Sequence, residues 1–330
     1  PPELPGLPEP LWDAVLGWLA AADFARLEAC ASTSRTRVQC ALSAAAAERG
    51  ARSLLLDRCA GLSRAFSTVE ENGALIRHQL AALESGNEYT SGEALSKLCV
   101  LASDRAQMGP LLGELCVAPL AALLQKCTAL PQHADAPSTL AIVRLLTNVS
   151  SLEDEEAISD KCWQRALGAW ERAIPQLASY ARLAASRDDP DHIGLRNALE
   201  ALNNLSHIEE LFPFVLGAGV DELALSVLER GGLGRQAAVK FLLTIQRWDE
   251  GWTLVADKIR GGTCLPGLVL ALQEDDLAPR LTAAQLLRNL AICVPLREPV
   301  GRTACGPLVR ALRAEPALRG EAAFVLGNLM

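Results

Sequence analysis

Apolar positions along the chain gather into one short phrase, Ala-x(3)-Leu-x-Asn-Leu, that recurs six times. Its fullest copies are LRNALEALNNLSH (195–207), RLTAAQLLRNLAI (280–292) and LRGEAAFVLGNLM (318–330). LAIVRLLTNVSS (140–151) keeps the Asn, whereas SGEALSKLCVLAS (91–103) and GRQAAVKFLLTIQ (234–246) keep only the frame. With the Asn position as anchor, the copies align on Val100, Asn148, Asn204, Thr244, Asn289 and Asn328, spaced 48, 56, 40, 45 and 39 residues apart. Two residues before each anchor stands Leu98, Leu146, Leu202, Leu242, Leu287 or Leu326. One residue after stands Leu101, Val149, Leu205, Ile245, Leu290 or Leu329, and six before stands Ala94, Ile142, Ala198, Ala238, Ala283 or Ala322. These offsets share one face of a helix, and the small Ala lets a neighbouring helix approach closely. A period of roughly 40 residues predicts a stacked array of helical repeats, each burying its apolar face against the next.

A second apolar element precedes each phrase: IRHQLAAL (76–83), VAPLAALL (117–124), IPQLASYARL (174–183), VDELALSVL (220–228), LPGLVLAL (265–272) and CGPLVRAL (305–312). Four of them carry Pro near the start, at Pro119, Pro175, Pro266 and Pro307, where a first helical turn tolerates the missing N–H. Shorter helix-like pieces, FPFVLGAGV (212–220) and LREPVGRTACG (296–306), come before two of these. The predicted unit is therefore a short helix, a Pro-started helix and a longer helix ending in the phrase. KCTALPQHADAPS (126–138) and SRDDPD (186–191) separate second from third helices, and SLEDEEAISD (151–160) joins one repeat to the next. Gly231-Gly232-Leu233-Gly234 lacks the flanking strand and the Lys-Ser/Thr of a phosphate loop and reads as a turn.

Half the residues are apolar but only 4% are aromatic, so the core must come from Leu, Ala and Val. That composition suits helices packed side by side, and the fold is read as all-α. The net charge of −8 argues against general nucleic-acid binding, which needs a basic stripe. No run of about 18 apolar residues exists to span a membrane. The ten cysteines show no C-x-x-C and no zinc spacing. Cys99, Cys116, Cys264, Cys293 and Cys305 lie in or beside Leu- and Ala-rich stretches, which predicts reduced, buried thiols in a cytoplasmic or nuclear protein. The start at Pro1 and the stop at Met330, inside a repeat's last helix, are expected of a piece of a longer protein.

The order and phrases of residues 52–330, Gly/Pro-Leu-Val-x-x-Leu followed by Ala-x(3)-Leu-x-Asn-Leu, resemble armadillo repeats; HEAT repeats, with two helices and no constant Asn, are the near alternative. The resemblance implies a right-handed helical solenoid of about six repeats whose third helices line a groove. In that family the anchor Asn side chains grip the backbone of an extended peptide. Carried over by position, the candidates are Asn148, Asn204, Asn289 and Asn328, though each Asn would equally serve to cap or space helices. Nuclear-import members of the family place Trp one turn before the Asn. Here that position holds Arg144, Glu200, Lys240, Gln285 and Phe324, so an import receptor is rejected. Arg144, Glu200, Lys240 and Gln285 complete the candidate groove, and Arg144 with Lys240 would suit a peptide carrying acidic groups unless both are simply solvated. Trp163 and Trp170, like Trp248 and Trp252, pair along one helix face, either as partner anchors or as core.

Residues 1–48 do not carry the phrase. Leu11, Val15, Leu16 and Leu19 fall on one face of a short helix, and Asp23 can cap a second carrying Phe24, Leu27 and Cys30. With Leu7-Pro8-Glu9 before them, these residues resemble an F-box, a three-helix module that docks on a Skp-type adaptor of a cullin–RING ubiquitin ligase. The resemblance implies an adaptor-binding face formed by Leu7, Pro8, Leu11, Val15, Leu16, Leu19, Phe24 and Leu27. Ala29 stands where the family has Val, and the Arg-Trp dipeptide is absent. The other reading is a helical cap for the array.

None of the four histidines neighbours a nucleophile motif, and G-x-S-x-G is absent. His207 follows the third phrase, where a helix C-terminus favours its charged form. A Cys-nucleophile hydrolase is disfavoured for want of a Cys–His context. The expectation is a non-enzymatic binding protein with no cofactor and no metal, whose partners are proteins: a Skp-type adaptor and a target protein or peptide. The rival expectation is an armadillo-like scaffold with an N-terminal cap and no ligase link.

Overall fold

The Ala and Leu offsets of the repeated phrase become the seams of a two-layered stack. The computed structural model describes residues 73–83, 88–102, 105–129, 136–151, 160–187, 193–230 and 232–330. The expected adaptor face, Leu7 to Leu27, and the acidic run at 153–156 lie outside the described residues. Fourteen α-helices are described: α1 (73–83), α2 (Glu88–Leu101), α3 (Arg105–Thr128), α4 (Pro137–Ser150), α5 (Asp160–Ala185), α6 (Ile193–Leu205), α7 (Phe212–Gly217), α8 (Val220–Arg230), α9 (Leu233–Ile245), α10 (Asp249–Arg260), α11 (Leu265–Ala271), α12 (Leu277–Ile292), α13 (Val294–Ala314) and α14 (Arg319–Leu329). No strand occurs among the described residues.

Helices α2, α4, α6, α9, α12 and α14 carry the six anchors, and each packs on the next to form one ladder. Helices α3, α5, α8, α11 and α13 form a second ladder behind it. Ala198, Ala238, Ala283 and Ala322 are completely buried in the seams, as are Leu98, Leu146, Leu202, Leu242 and Leu287. One continuous apolar core runs from Ile76 to Val325. Burying an aliphatic side chain contributes about 1.5–3 kcal/mol, so the seams, more than intrinsic helix propensity, hold the rungs in register. Trp170 and Tyr180 are fully buried in α5, which assigns Trp170 to the core.

The proline reading needs correction. Pro266 sits at the start of α11, as expected. Pro119 lies inside α3, Pro175 inside α5, and Pro299 and Pro307 inside α13. There the first and second helices of the repeat run together, and the expected boundary disappears. An internal Pro forfeits one backbone bond and costs about 3 kcal/mol, which burial along both flanks of these long helices offsets. In the two middle repeats the first and second helices stay separate, as α7 with α8 and α10 with α11. Each joint holds a glycine in the left-handed region, Gly219 at φ 66° and Gly262 at φ 77°, a conformation other residues rarely adopt. The predicted three-helix unit is thus realised in the middle of the array, with two-helix units around it.

Gly251 serves a different purpose. In the first turn of α10, a Cβ at this position would lie 2.1 Å from the Ile245 carbonyl oxygen at the end of α9. Only glycine allows α10 to turn back so tightly on α9.

Candidate functional site

Because the anchor helices stack in one ladder, residues at equal offsets from the anchor lie side by side across rungs. The anchor row is Asn148, Asn204, Thr244, Asn289 and Asn328; one turn earlier runs Arg144, Glu200, Lys240, Gln285 and Phe324. The structure therefore brings the sequence-derived candidates onto one ladder. Arg144 and Lys240 are exposed, whereas Asn148, Glu200, Asn204, Gln285, Asn289 and Asn328 are partly buried. Glu200 is held by Arg196 one turn earlier, at 3.0 Å.

The anchors are tied to the preceding rung. Asn204 Nδ2 donates to Ser150 Oγ and Ser151 Oγ, both at 3.1 Å, so its two amide protons are engaged and Oδ1 remains available to accept. Asn289 Nδ2 donates to Gln246 Oε1 at 3.1 Å. Asn328 Nδ2 instead donates to the Phe324 carbonyl of its own helix at 3.2 Å. Phe324, on the row one turn before the anchors, is 45% exposed with the Arg288 guanidinium 4.9 Å from its ring centroid.

Between α6 and α9 the Asn is replaced by Thr244, and cationic groups collect. Arg247 Nη1 lies 2.6 Å from His207 Nδ1. A guanidinium has no lone pair, so Nδ1 accepts and the ring proton is assigned to Nε2, which faces Thr244 Oγ1 at 3.5 Å. The expectation that His207 would favour its charged form is overturned. Burial, then the Arg247 charge, then the Lys240 charge push its pKa below the ordinary value. Across this seam burial, helped by the two cations, outweighs the helix C-terminus.

Trp248 closes the same turn. Its Nε1 donates to the Ser206 carbonyl at 2.8 Å, and its ring lies 5.6 Å from that of Phe212. Those contacts assign Trp248 to packing. Trp252 of α10 lines a hollow of about 310 Å³ together with Gln246 from the turn after α9 and Asn289, Ile292 and Cys293 from the C-terminal end of α12. Ile292 is 56% exposed at its rim, while Gln246 Nε2 is buried with no hydrogen-bond partner. Sequence reasoning missed Gln246, Arg247 and Ile292, and left Trp252 open between partner anchor and core. Their common signal is position, two to eight residues beyond an anchor, in or beside the turn that ends the repeat's last helix.

Among the described residues no group of three or more His, Cys, Asp or Glu is placed to hold a metal ion. Cys116 and Cys264 are buried thiols whose pKa burial pushes up to about 12, Cys264 with help from Glu229. Cys305 is exposed, against the expectation of burial. No described helix is long and apolar enough to cross a membrane.

No family model and no curated relative matches the chain. Solved structures do. One engineered protein is 21% identical, with 77% of this chain and 98% of that chain covered at a TM-score of 0.60. A designed armadillo repeat protein in complex with the peptide (KR)4 is 18% identical, with 77% and 98% covered at 0.59. A computationally designed armadillo repeat protein for modular peptide recognition is 20% identical, with 76% and 98% covered at 0.58. At these identities the likeness shows the fold, and that fold is an all-α, right-handed helical solenoid of the armadillo type.

Proposed function

We propose that the anchor ladder is a groove for an extended peptide and that the chain is a binding protein, with no chemistry of its own. The observation that carries this reading is the alignment of amide side chains and exposed charges along one ladder. Asn204 Oδ1 remains free to accept from a backbone N–H, and the second amide proton of Asn289 remains free to donate to a backbone carbonyl. The designed array in complex with (KR)4 shares the fold and supports the reading by analogy. Panning a library of random twelve-residue peptides on the full chain tests it. Enriched peptides should lose binding to the triple variant Asn148→Ala, Asn204→Ala, Asn289→Ala while its helical circular dichroism is retained. Enrichment that survives the triple substitution would remove the groove assignment.

The fuller reading divides the chain at about residue 50. Residues 1–48 dock a Skp-type adaptor, and residues 52–330 hold a target for a cullin–RING ubiquitin ligase in the cytoplasm or nucleus. The support is the order Leu7-Pro8-Glu9, Leu11, Val15-Leu16, Leu19 and Phe24. Co-purification with a Skp-type adaptor, lost in Leu11→Asp/Leu16→Asp with circular dichroism unchanged, is the expected result. A folded wild type that binds no adaptor leaves an armadillo-like scaffold with an N-terminal cap.

A further inference from the structure

The middle of the ladder differs in character from the rest of this acidic chain. Lys240 is exposed on α9 and Arg247 in the turn that follows it, with His207 facing Arg247 from the turn after α6 on the preceding rung. Arg247 spends one nitrogen on a neutral ring, and no ion pair involves Lys240 or Arg247 among the described residues. Glu200, the carboxylate on the same row as Lys240, is held by Arg196. Lys240 and Arg247 are thus two exposed cations without an ion-pair partner in a chain of net charge −8, and Asp249 and Glu250 follow Arg247 at the start of α10.

One furrow further on, the surface changes from charged to apolar. Trp252, Ile292 and Cys293 line the hollow, with Gln246 and Asn289 joined at its base. Gln246 Nε2 is a buried donor with no partner. Leaving such a donor unsatisfied costs about 1–3 kcal/mol, which a carbonyl entering the hollow would recover. Packed helices are spaced roughly 8–10 Å apart, and extended chain rises roughly 3.3 Å per residue. Neighbouring furrows are therefore about three residues apart along a peptide.

We infer that these two furrows together read an acidic peptide segment: a Asp or Glu side chain bound by Lys240 and Arg247, and an aliphatic side chain about three residues away seated against Trp252 and Ile292, with a backbone carbonyl on Gln246. This deepens the groove reading and rests on it. It also sets this chain apart from the designed array that holds (KR)4, since a Lys- and Arg-rich peptide meets like charge here.

The same peptide selection on the full chain supplies the test. Enriched sequences should pair Asp or Glu with Leu, Ile or Met about three positions away. Fluorescence anisotropy on one such synthetic peptide should show at least tenfold weaker binding to Lys240→Glu/Arg247→Glu, roughly the loss of one charge-assisted hydrogen bond. Ile292→Asp should weaken it comparably, and a labelled (KR)4 peptide should not bind the wild type. All three positions are exposed, and the single variant Lys240→Ala gives a milder check should the double charge reversal disturb folding. Enriched peptides without acidic residues, or an affinity unchanged by the charge reversal, overturn the inference and leave the groove standing. A single-stranded oligonucleotide that binds where the acidic peptide does not also overturns it. Failure to enrich any peptide removes the groove reading and this one with it.

Discussion

Asn289 and Asn328 hold the same place in successive copies of the phrase, yet they do different things. Asn289 reaches across the seam to Gln246, whereas Asn328 turns back on the Phe324 carbonyl of its own helix. The cause lies two residues beyond the preceding anchor, where Gln246 precedes α12 but Ala291 precedes α14. Ser150 occupies that place for Asn204 and is bonded to it. Ala102 occupies it for Asn148 and offers no side-chain acceptor. An Asn in the phrase therefore ties rungs together only when the rung before presents a polar side chain. Where it does not, the amide is left for the helix itself or for a ligand.

The largest break in this comparison should come from Gly251→Ala. The added methyl meets the Ile245 carbonyl and forces α10 off α9, displacing Gln246. Overpacking against rigid backbone should cost roughly 3 kcal/mol, read as a fall in the urea midpoint. Asn289→Ala comes next, at about 2 kcal/mol, because it strips the buried Gln246 amide of the partner on its oxygen. The seam between α6 and α9 adds a pH dependence. His207 titrates below its ordinary 6.5 in the folded chain, so its stabilising contribution is complete above that pH and is lost as pH falls through the folded value. Urea midpoints followed from pH 7 to 5 should decline less in His207→Gln. Asn328→Ala should be the mildest change, within about 0.5 kcal/mol, because the side chain it removes serves only its own exposed helix. Equal losses for Asn289→Ala and Asn328→Ala would refute the rule drawn from the comparison.

The fold was legible because its signal is periodic. Ala at −6 and Leu at −2 mark the seam wherever the phrase is complete, and these residues are buried except Leu326 in the last copy, which is half-buried. The helix boundaries were not, because Pro119, Pro175 and Pro307 look like helix starts to any local rule. What overrides them is burial on the neighbouring rungs, which no single segment reveals. The candidate site divides in the same way. Its anchor row follows from one repeated offset. Its cations and its hollow depend on which residue of one repeat faces which of the next. His207 shows the limit: its own helix end favours charge, but burial against the next rung opposes it first, and the cations that add to this, Arg247 and Lys240, lie 40 and 33 positions downstream.

The contrast between joined and jointed outer helices has a mechanical consequence. A helix rises about 1.5 Å per residue, so α5, with 26 residues, is a strut roughly 39 Å long that transmits a push at one end to the other. The middle repeats replace such a strut with two short pieces pivoting at Gly219 and Gly262. Beside the rungs that carry Lys240, Arg247 and the hollow, no single outer helix of that length is present to carry a load from one end to the other.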